Sequence, residues 1–447
     1  MSFLQRISIL PSLSVVPSLA VLAAAMAVGL ALPAFAEDAA TQATAQIQKV
    51  RDSAAYKAAV EHIDKNYEPY VAEGIKLVEI PAPPFKEEAR GKAYAELFKG
   101  AGLAEVEIDE EGNVLGLRRG TGADDRVVVV SAHLDTVFPE GTDVTVRRDG
   151  TRLNAPGVSD DTFSLAALLS YIRAMDAAGI RHKDTILFVG TVGEEGLGDL
   201  RGVRHLFTEG KYKDRIKSFF SMEGGSADTF TNQGVGSKRY RIAFKGPGGH
   251  SFGAFGLVNP SYALAEAISL LARTEVPTDP KVTYNVGVLK GGTSVNSIPL
   301  EVSMEVDMRS GDAAELTKME KRLLDIIQQA ADTENFARST KEGKITVEAT
   351  VIGDRPAGTI AETEPLFQLA KASIMAAGYE FKGPREGSND SNIPWSLGIP
   401  AVTLGKNGPD KNGRSHSLDE WLDIEKEPMV KGMATSLATI LAAAGME

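Results

Sequence analysis

Runs of apolar residues with no polar alternation constrain this chain more than any other feature. Arg126 to Ala132 carries four consecutive valines, and Thr185 to Val192 and Ser218 to Met222 are of the same kind. A strand that is apolar on both faces must be covered on both, which is the situation of a parallel sheet flanked by helices. The segments around these runs supply the helices. Val50 to Val78 reads as one or two amphipathic helices, with Ile63 and Tyr67 four apart, ended by Pro81, Pro83 and Pro84. Glu87 to Gly100 and Thr162 to Ala178 read as further helices, and Ala104 to Arg119 as a hairpin around Glu111-Gly112-Asn113. The predicted fold class is therefore α/β with a mostly parallel sheet.

The pattern changes near Lys238. Arg239 to Lys245, Lys281 to Lys290, Glu301 to Arg309 and Lys344 to Ile352 alternate as half-exposed strands, with helices at Pro260 to Ala272 and Ala313 to Asp332. This β-α-β-β-α-β order is that of a ferredoxin-like α+β unit. Patterning of the first kind then resumes with a helix at Pro365 to Ala377, a short apolar strand at Ala401 to Leu404 and a helix at Ile424 to Ala444. The expected organisation is one α/β domain over 48–237 and 354–447, with a second domain inserted at 238–353.

The N-terminus reads as a targeting segment over 1–36. Arg6 precedes an apolar stretch from Leu13 to Leu32, interrupted by Pro17 and followed by Ala34-Phe35-Ala36 and then Glu37-Asp38. An uncleaved anchor is the alternative, since the stretch approaches spanning length. Small residues and an A-x-A site favour cleavage after Ala36. The mature chain is then expected in the periplasm or outside the cell, without stable membrane association. A net charge of -12, from Lys+Arg 48 against Asp+Glu 60, argues against a nucleic-acid partner. Cysteine is absent, so disulfides and thiolate metal sites are excluded. Any metal must be held by oxygen and imidazole, which suits zinc, cobalt or manganese.

Acids and histidines gather where the apolar runs end: His133-Leu134-Asp135, Asp160-Asp161, Glu194-Glu195 and Glu223, followed late by His416. His133 and Asp135, two apart on a strand, share a face, and an Asp so placed can fix the tautomer of a ligand histidine. Asp160 and Asp161 open a predicted helix after Pro156-Gly157-Val158-Ser159. Either could be an N-cap, but two adjacent acids after a glycine turn point to a bridging metal ligand. In Glu194-Glu195 one acid can hold a metal while its neighbour takes a proton from the attacking water. Taken singly each motif is weak. In an open α/β sheet, however, ligands bind outside the carboxyl ends of the strands, which is where these acids fall.

In this combination the sequence resembles the co-catalytic dizinc aminoacyl hydrolases, which include carboxypeptidase G, peptidase T, aminoacylase-1, acetylornithine deacetylase and succinyl-diaminopimelate desuccinylase. The resemblance runs from about Ile75 to Leu441. It implies that His133 binds one metal with Glu223, that Asp135 orients His133, and that Asp160 bridges both metals. It further implies that Glu195 and His416 complete the second site and that Glu194 is the general base. The cofactors implied are two divalent ions, zinc foremost. The inserted domain would be a lid and dimerisation domain, allowing a homodimer. There, Lys245-Gly246-Pro247-Gly248-Gly249-His250-Ser251 matches the lid motif whose histidine stabilises the oxyanion. Asn296 and Arg309 match substrate-holding positions, and an Arg fork suits a carboxylate. Thr162 stands where many relatives have Lys, and Phe252-Gly253 follows where many have Ser or Ala and then Pro. Gly193-Glu194-Glu195-Gly196-Leu197-Gly198-Asp199 leans to the peptidase T-like side. The expected function is a secreted exopeptidase for short peptides. An N-acyl-amino-acid amidohydrolase using the same site is the alternative, and a non-catalytic peptide-binding relative is a third, which an intact Glu194 disfavours.

Overall fold

A computed structural model describes residues 38–409 and 413–447. The proposed targeting segment lies outside the described residues. Among those described, no helix is long and apolar enough to cross a membrane.

Strands β1 (Ala104–Ile108) and β2 (Val114–Arg118) form the expected hairpin. The three apolar runs become β3 (Val127–His133), β6 (Thr185–Thr191) and β7 (Ile216–Ser226), while β4 (Arg147–Asp149) and β5 (Arg152–Asn154) lie between the first two. With β8 (Phe230–Gly234) the chain leaves this half. The valines of β3 are fully buried, and burying each contributes roughly 1.5–3 kcal/mol, so this segment occupies the centre of the sheet. The helix Phe163–Ala177 covers it and is itself almost wholly buried.

The inserted unit consists of β9 (Gly236–Lys245), β10 (Gly249–His250), β11 (Val282–Gly291), β12 (Ser297–Ile298), β13 (Glu301–Ser310) and β14 (Thr346–Arg355). Its four long strands pair antiparallel in the order β11-β13-β9-β14, with the first strand between the third and the last. That is the ferredoxin-like arrangement. Helices Pro260–Ala272 and Ala313–Ala337 cover one face and close a separate core around Phe244, Met304 and Leu323. The two-residue ribbon β10–β12 was not predicted.

Beyond it lie β15 (Gly358–Thr359), β16 (Arg385–Gly387), β17 (Ala401–Asn407) and β18 (Trp421–Asp423). The main sheet has nine strands; β6-β3-β7-β17 at its centre are parallel, β1, β2, β8 and β15 extend it antiparallel, and β16 pairs parallel with β8. Three expectations needed correction. Helix begins at residue 38 and runs to 52, well ahead of the expected start at Val50. Alanine and glutamine favour helix, and Ala43, Ile47 and Val50 recur on one buried face. Strand β7 runs through Glu223 to Ser226 rather than stopping at Met222, because β17 continues beside it, with Gly405 opposite Glu223. Finally, the helix after Asp160-Asp161 starts at Phe163, and neither aspartate has helical backbone angles.

Candidate metal centre

Parallel pairing brings the ends of β3 and β6 level, with His133 opposite Thr191. From that edge the chain delivers the two glutamates. Gly193, with φ +68, makes the turn that a side chain would resist, and Glu194 and Glu195 follow it, both buried. Asp135 joins the two strand ends: its carboxylate oxygens accept the backbone N–H groups of Glu194 (3.1 Å) and Glu195 (2.8 Å). The His133 Nδ1 lies 3.0 Å from the Asp135 carbonyl oxygen and 3.6 Å from its Oδ1. A proton on Nδ1 is thereby satisfied, and Nε2 is left as the outward nitrogen.

Asp160 faces that nitrogen. It sits in a tight turn over Val158–Thr162, and no side-chain cap bond is made there. Its carboxylate instead spans two histidines, with Oδ1 3.0 Å from His133 Nε2 and Oδ2 3.1 Å from His416 Nε2. His416 Nε2 is also 3.0 Å from Glu195 Oε1. Glu223 enters from β7, and Gly224 beside it has no room for a side chain, since a Cβ would lie 2.7 Å from the Ser159 carbonyl oxygen. The structure therefore brings together His133, Asp135, Asp160, Glu194, Glu195, Glu223 and His416.

The electrostatics of this cluster are those of a cage built for cations. Burial pushes Glu194 and Glu223 well above the usual carboxylate range, and Asp161 up to about 7. His416 is held up to about 10 by its hydrogen bonds to Asp160 and Glu195. Burial alone would depress His133, but Asp135 and Asp160 outweigh it and raise it well above the ordinary imidazole value. Asp160, penalised by burial, is nevertheless pulled down by the two histidines. Glu223 Oε1 and Asp161 Oδ1 are buried without a hydrogen-bond partner, a condition that is costly unless a positive charge approaches. His133, Asp161 and Glu223 form one group whose ligand atoms lie within 4.8 Å of one another, and Asp160, Glu195 and His416 form another. This all-oxygen and imidazole set fits two divalent ions, with Asp160 reaching both sides.

The sequence profile of peptidase family M20/M25/M40 matches residues 129–442. The chain belongs to this family. It is accordingly a hydrolase acting on peptide or amide bonds. Among curated proteins, the uncharacterized protein YqjE of Bacillus subtilis is 25% identical over 352 residues, covering 74% of this chain and 88% of that one. A succinyl-diaminopimelate desuccinylase of Methylibium petroleiphilum is 29% identical over 235 residues, covering 48% of this chain and 60% of the desuccinylase. Among solved structures, a tripeptidase from Staphylococcus aureus superposes with a TM-score of 0.68 at 23% identity, covering 84% of this chain and 98% of that one. At that identity the likeness is one of fold.

In this M20 chain the metal cage opens into a cleft of about 710 Å³, lined also by Arg239, Arg309, Arg355 and Arg385. Arg309 lines this cleft, where its Nε donates to Asp307 (2.8 Å), which also receives Arg239 (3.0 Å). Arg385 is exposed and has no hydrogen-bond or ion-pair partner among the described residues. His250 and Asn296 are not in the cleft; both lie at the exposed β10–β12 ribbon of the inserted unit. The His250 Nδ1 accepts the N–H groups of Phe252 (3.2 Å) and Gly253 (3.3 Å), which leaves the ring proton on Nε2 as an outward donor.

Sequence reasoning singled out Asp161 together with Asp160, but missed Lys406 and Glu420, which the fold adds. Asp161 is fully buried beside His133, whose N–H it accepts (3.3 Å). Lys406, also fully buried, lies 3.9 Å from Asp161 and donates to Ser164 (2.7 Å), bringing an ammonium into a site where Thr162 offers none. Glu420 is fully buried and accepts the N–H groups of Ser159 (2.7 Å) and Asp160 (3.0 Å). No periodic pattern marks them. The one available signal was Glu420 standing four residues after His416 in an otherwise irregular stretch.

Proposed function

We propose that this protein is an extracytoplasmic metal-dependent exopeptidase acting on short peptides. The observation that carries the reading is Asp160 shared between His133 and His416, with Glu194 beside it, in a cleft also lined by arginines. A volume of about 710 Å³ is in the range of small-ligand pockets. That size suits a short peptide.

His133, Asp160 and Glu223 would hold one ion, and Asp160, Glu195 and His416 the other; zinc suits the donors, as do cobalt and manganese. The chemistry two bound divalent ions supply is polarisation of the scissile carbonyl and a lowered water pKa. Asp135 keeps the His133 tautomer and anchors the backbone of both glutamates. Glu194 takes the proton of the attacking water and delivers it to the leaving amine. Arg309 and the unpaired Arg385 receive the substrate carboxylate by charge-assisted bonds. His250 donates from Nε2 to the carbonyl oxygen as charge builds there. Because the ribbon bearing it lies outside the cleft, His250 and Asn296 reach the substrate by closure of the inserted domain or from a second copy. Phe252, Phe255, Val295 and Leu300, all largely exposed around that ribbon, support an interface there. The A-x-A site at Ala36 supports the extracytoplasmic address.

A second reading, removal of an acyl group from an N-acyl amino acid, is favoured by Arg309 and Arg385 in the cleft and by the desuccinylase relative, since a dicarboxylic acyl group carries its own anion. Product analysis by mass spectrometry separates the two. The metal-loaded mature protein is incubated with di-, tri- and longer peptides, free or blocked at either end, and with N-acyl amino acids. Cleavage requiring a free terminus supports the exopeptidase; release of acyl groups alone replaces it with the deacylase. No metal-dependent cleavage of either class would sink both.

A further inference from the structure

We infer that Arg355 is the positioning residue for Glu194, and that it links the base to the inserted domain. The inference rests on Glu194 being the base proposed above.

Arg355 is the last residue of β14 and pairs with Ser237 of β9, so its backbone belongs to the inserted sheet. Its side chain leaves that sheet and enters the other half of the molecule. One terminal nitrogen lies 3.3 Å from Glu194 Oε1 and 3.3 Å from Ser388 Oγ, and the other donates to the Glu194 backbone carbonyl. The residue is buried, with 4% of its surface exposed. A guanidinium has a rigid fork, and here the fork grasps the backbone and the carboxylate of one residue together. That restricts Glu194 to rotamers that place Oε1 on the arginine. Its other oxygen has no hydrogen-bond partner among the described residues and is the one available to water.

Two simpler readings fit less well. As a substrate anchor, Arg355 is too buried and already bonded, whereas Arg385 in the same cleft is exposed and free. As a brace of the junction alone, it should satisfy Asp199, the acid nearest its Nε. That Nε is instead buried without a hydrogen-bond partner, 4.0 Å from Asp199 Oδ1. The guanidinium is aimed at Glu194 at the expense of the junction.

The rest of the Glu194 loop is tied to the same two strands. Asp354 of β14 donates its N–H to both oxygens of Asp199 (3.0 and 2.9 Å), Arg204 donates to the Asp354 carbonyl (2.8 Å), and Arg239 of β9 donates to the Gly196 carbonyl (2.9 Å). A rotation of the inserted sheet against the main sheet cannot leave the 194–199 loop unmoved. Closure of that domain over a substrate and the orientation of the base are therefore one coordinate, and Arg355 is the contact that reaches the carboxylate itself.

The test is kinetic, on the full-length mature enzyme carrying its metals, with Arg355→Ala and Arg355→Lys. Displacing a catalytic group by about an ångström costs about 10²-fold. The expected result for Arg355→Ala is a kcat lowered by about that factor, with KM and metal stoichiometry near wild type. Arg355→Lys should be intermediate, and added guanidinium should raise kcat of Arg355→Ala but not of wild type. In a Glu194→Gln background, Arg355→Ala should cost almost nothing more, because the two act as a unit. An unchanged kcat, a loss confined to KM, or loss of metal would overturn the inference, as would a full additional loss in the double variant. If Arg355→Ala does not fold, Arg355→Lys and its double variant carry the same comparison. Should Glu194→Gln itself retain turnover, the base assignment fails; should it be inactive while Arg355→Ala is fully active, only the present inference fails.

Discussion

Removing Glu420 should open the turn that carries Asp160, and the size of the effect follows from the hydrogen bonds it holds. Its Oε1 accepts from Ser159 (2.7 Å) and Asp160 (3.0 Å), and the side chain is fully buried. Glu420→Ala leaves both donors without an acceptor. An unsatisfied buried donor costs about 1–3 kcal/mol. The Ser159 amide is buried and the Asp160 amide partly so, which puts the sum at about 2–4 kcal/mol rather than at the upper limit. Glu420→Gln keeps a carbonyl oxygen for both donors. It also exchanges Oε2, which is buried without a hydrogen-bond partner, for a nitrogen in the same position. Burial pushes the Glu420 carboxyl up to about 7, so near neutral pH a neutral amide changes the local charge little, and a loss below about 1 kcal/mol is expected. Urea unfolding of the metal-free variants, fitted for midpoint and slope, measures both. An alanine variant within about 0.5 kcal/mol of wild type, or a glutamine variant as unstable as alanine, would refute the reasoning, because glutamine alone keeps the acceptor for the turn.

Asp160→Ala should lower bound metal below that of the wild type by elemental analysis, since its two oxygens face both histidines; full occupancy would return Asp160 to a structural role. His250→Ala should depress kcat by about 10²-fold, the usual loss for an oxyanion donor, with metal content unchanged; kinetics like wild type would make it structural. The metal-free protein should lose stability as pH rises. Asp390 (up to about 6), Asp161 and Glu420 (both up to about 7) and His416 (up to about 10) all bind protons more tightly folded than unfolded. The stabilisation from each is complete below its own unfolded value, the carboxylate range for the three acids and the imidazole value for His416, and is lost as pH climbs from there through the folded value. Asp160 and Asp135, both lowered, act in the opposite sense only at acid pH, below the usual aspartate value. Added metal competes with these protons, so its stabilising effect should grow over the same range. Melting temperatures with and without chelator between pH 5 and 9 check both slopes, and a metal-free protein that gains stability across that range would contradict the cage electrostatics.

Much of the architecture was legible without coordinates because burial leaves a local imprint. The valines of β3 and the apolar runs of β6 and β7 can only be a covered sheet. The alternating strands of the inserted unit, taken in order, lead to its antiparallel arrangement. The residues of the cage were legible too, since parallel strands put their ends on one side and a chain rarely sets so many acids there without a cation. The alternation rule does not report how far a strand runs. Glu223 lies inside β7 because β17 pairs alongside it, and that strand comes from far along the chain.

What no pattern along the chain could give is which distant groups meet. Asp160 by itself could have been a helix cap; its backbone angles and its two histidine partners belong to the assembled fold. Arg355 reaches Glu194 across 161 positions and Glu420 reaches Ser159 across 261, and both contacts are made by residue types that are ordinarily exposed. Periodicity records whether a position faces a core; it is silent on polar side chains buried singly at a junction. Those contacts depend on how the inserted sheet and the C-terminal turn dock on the main sheet, which is a property of the assembled fold.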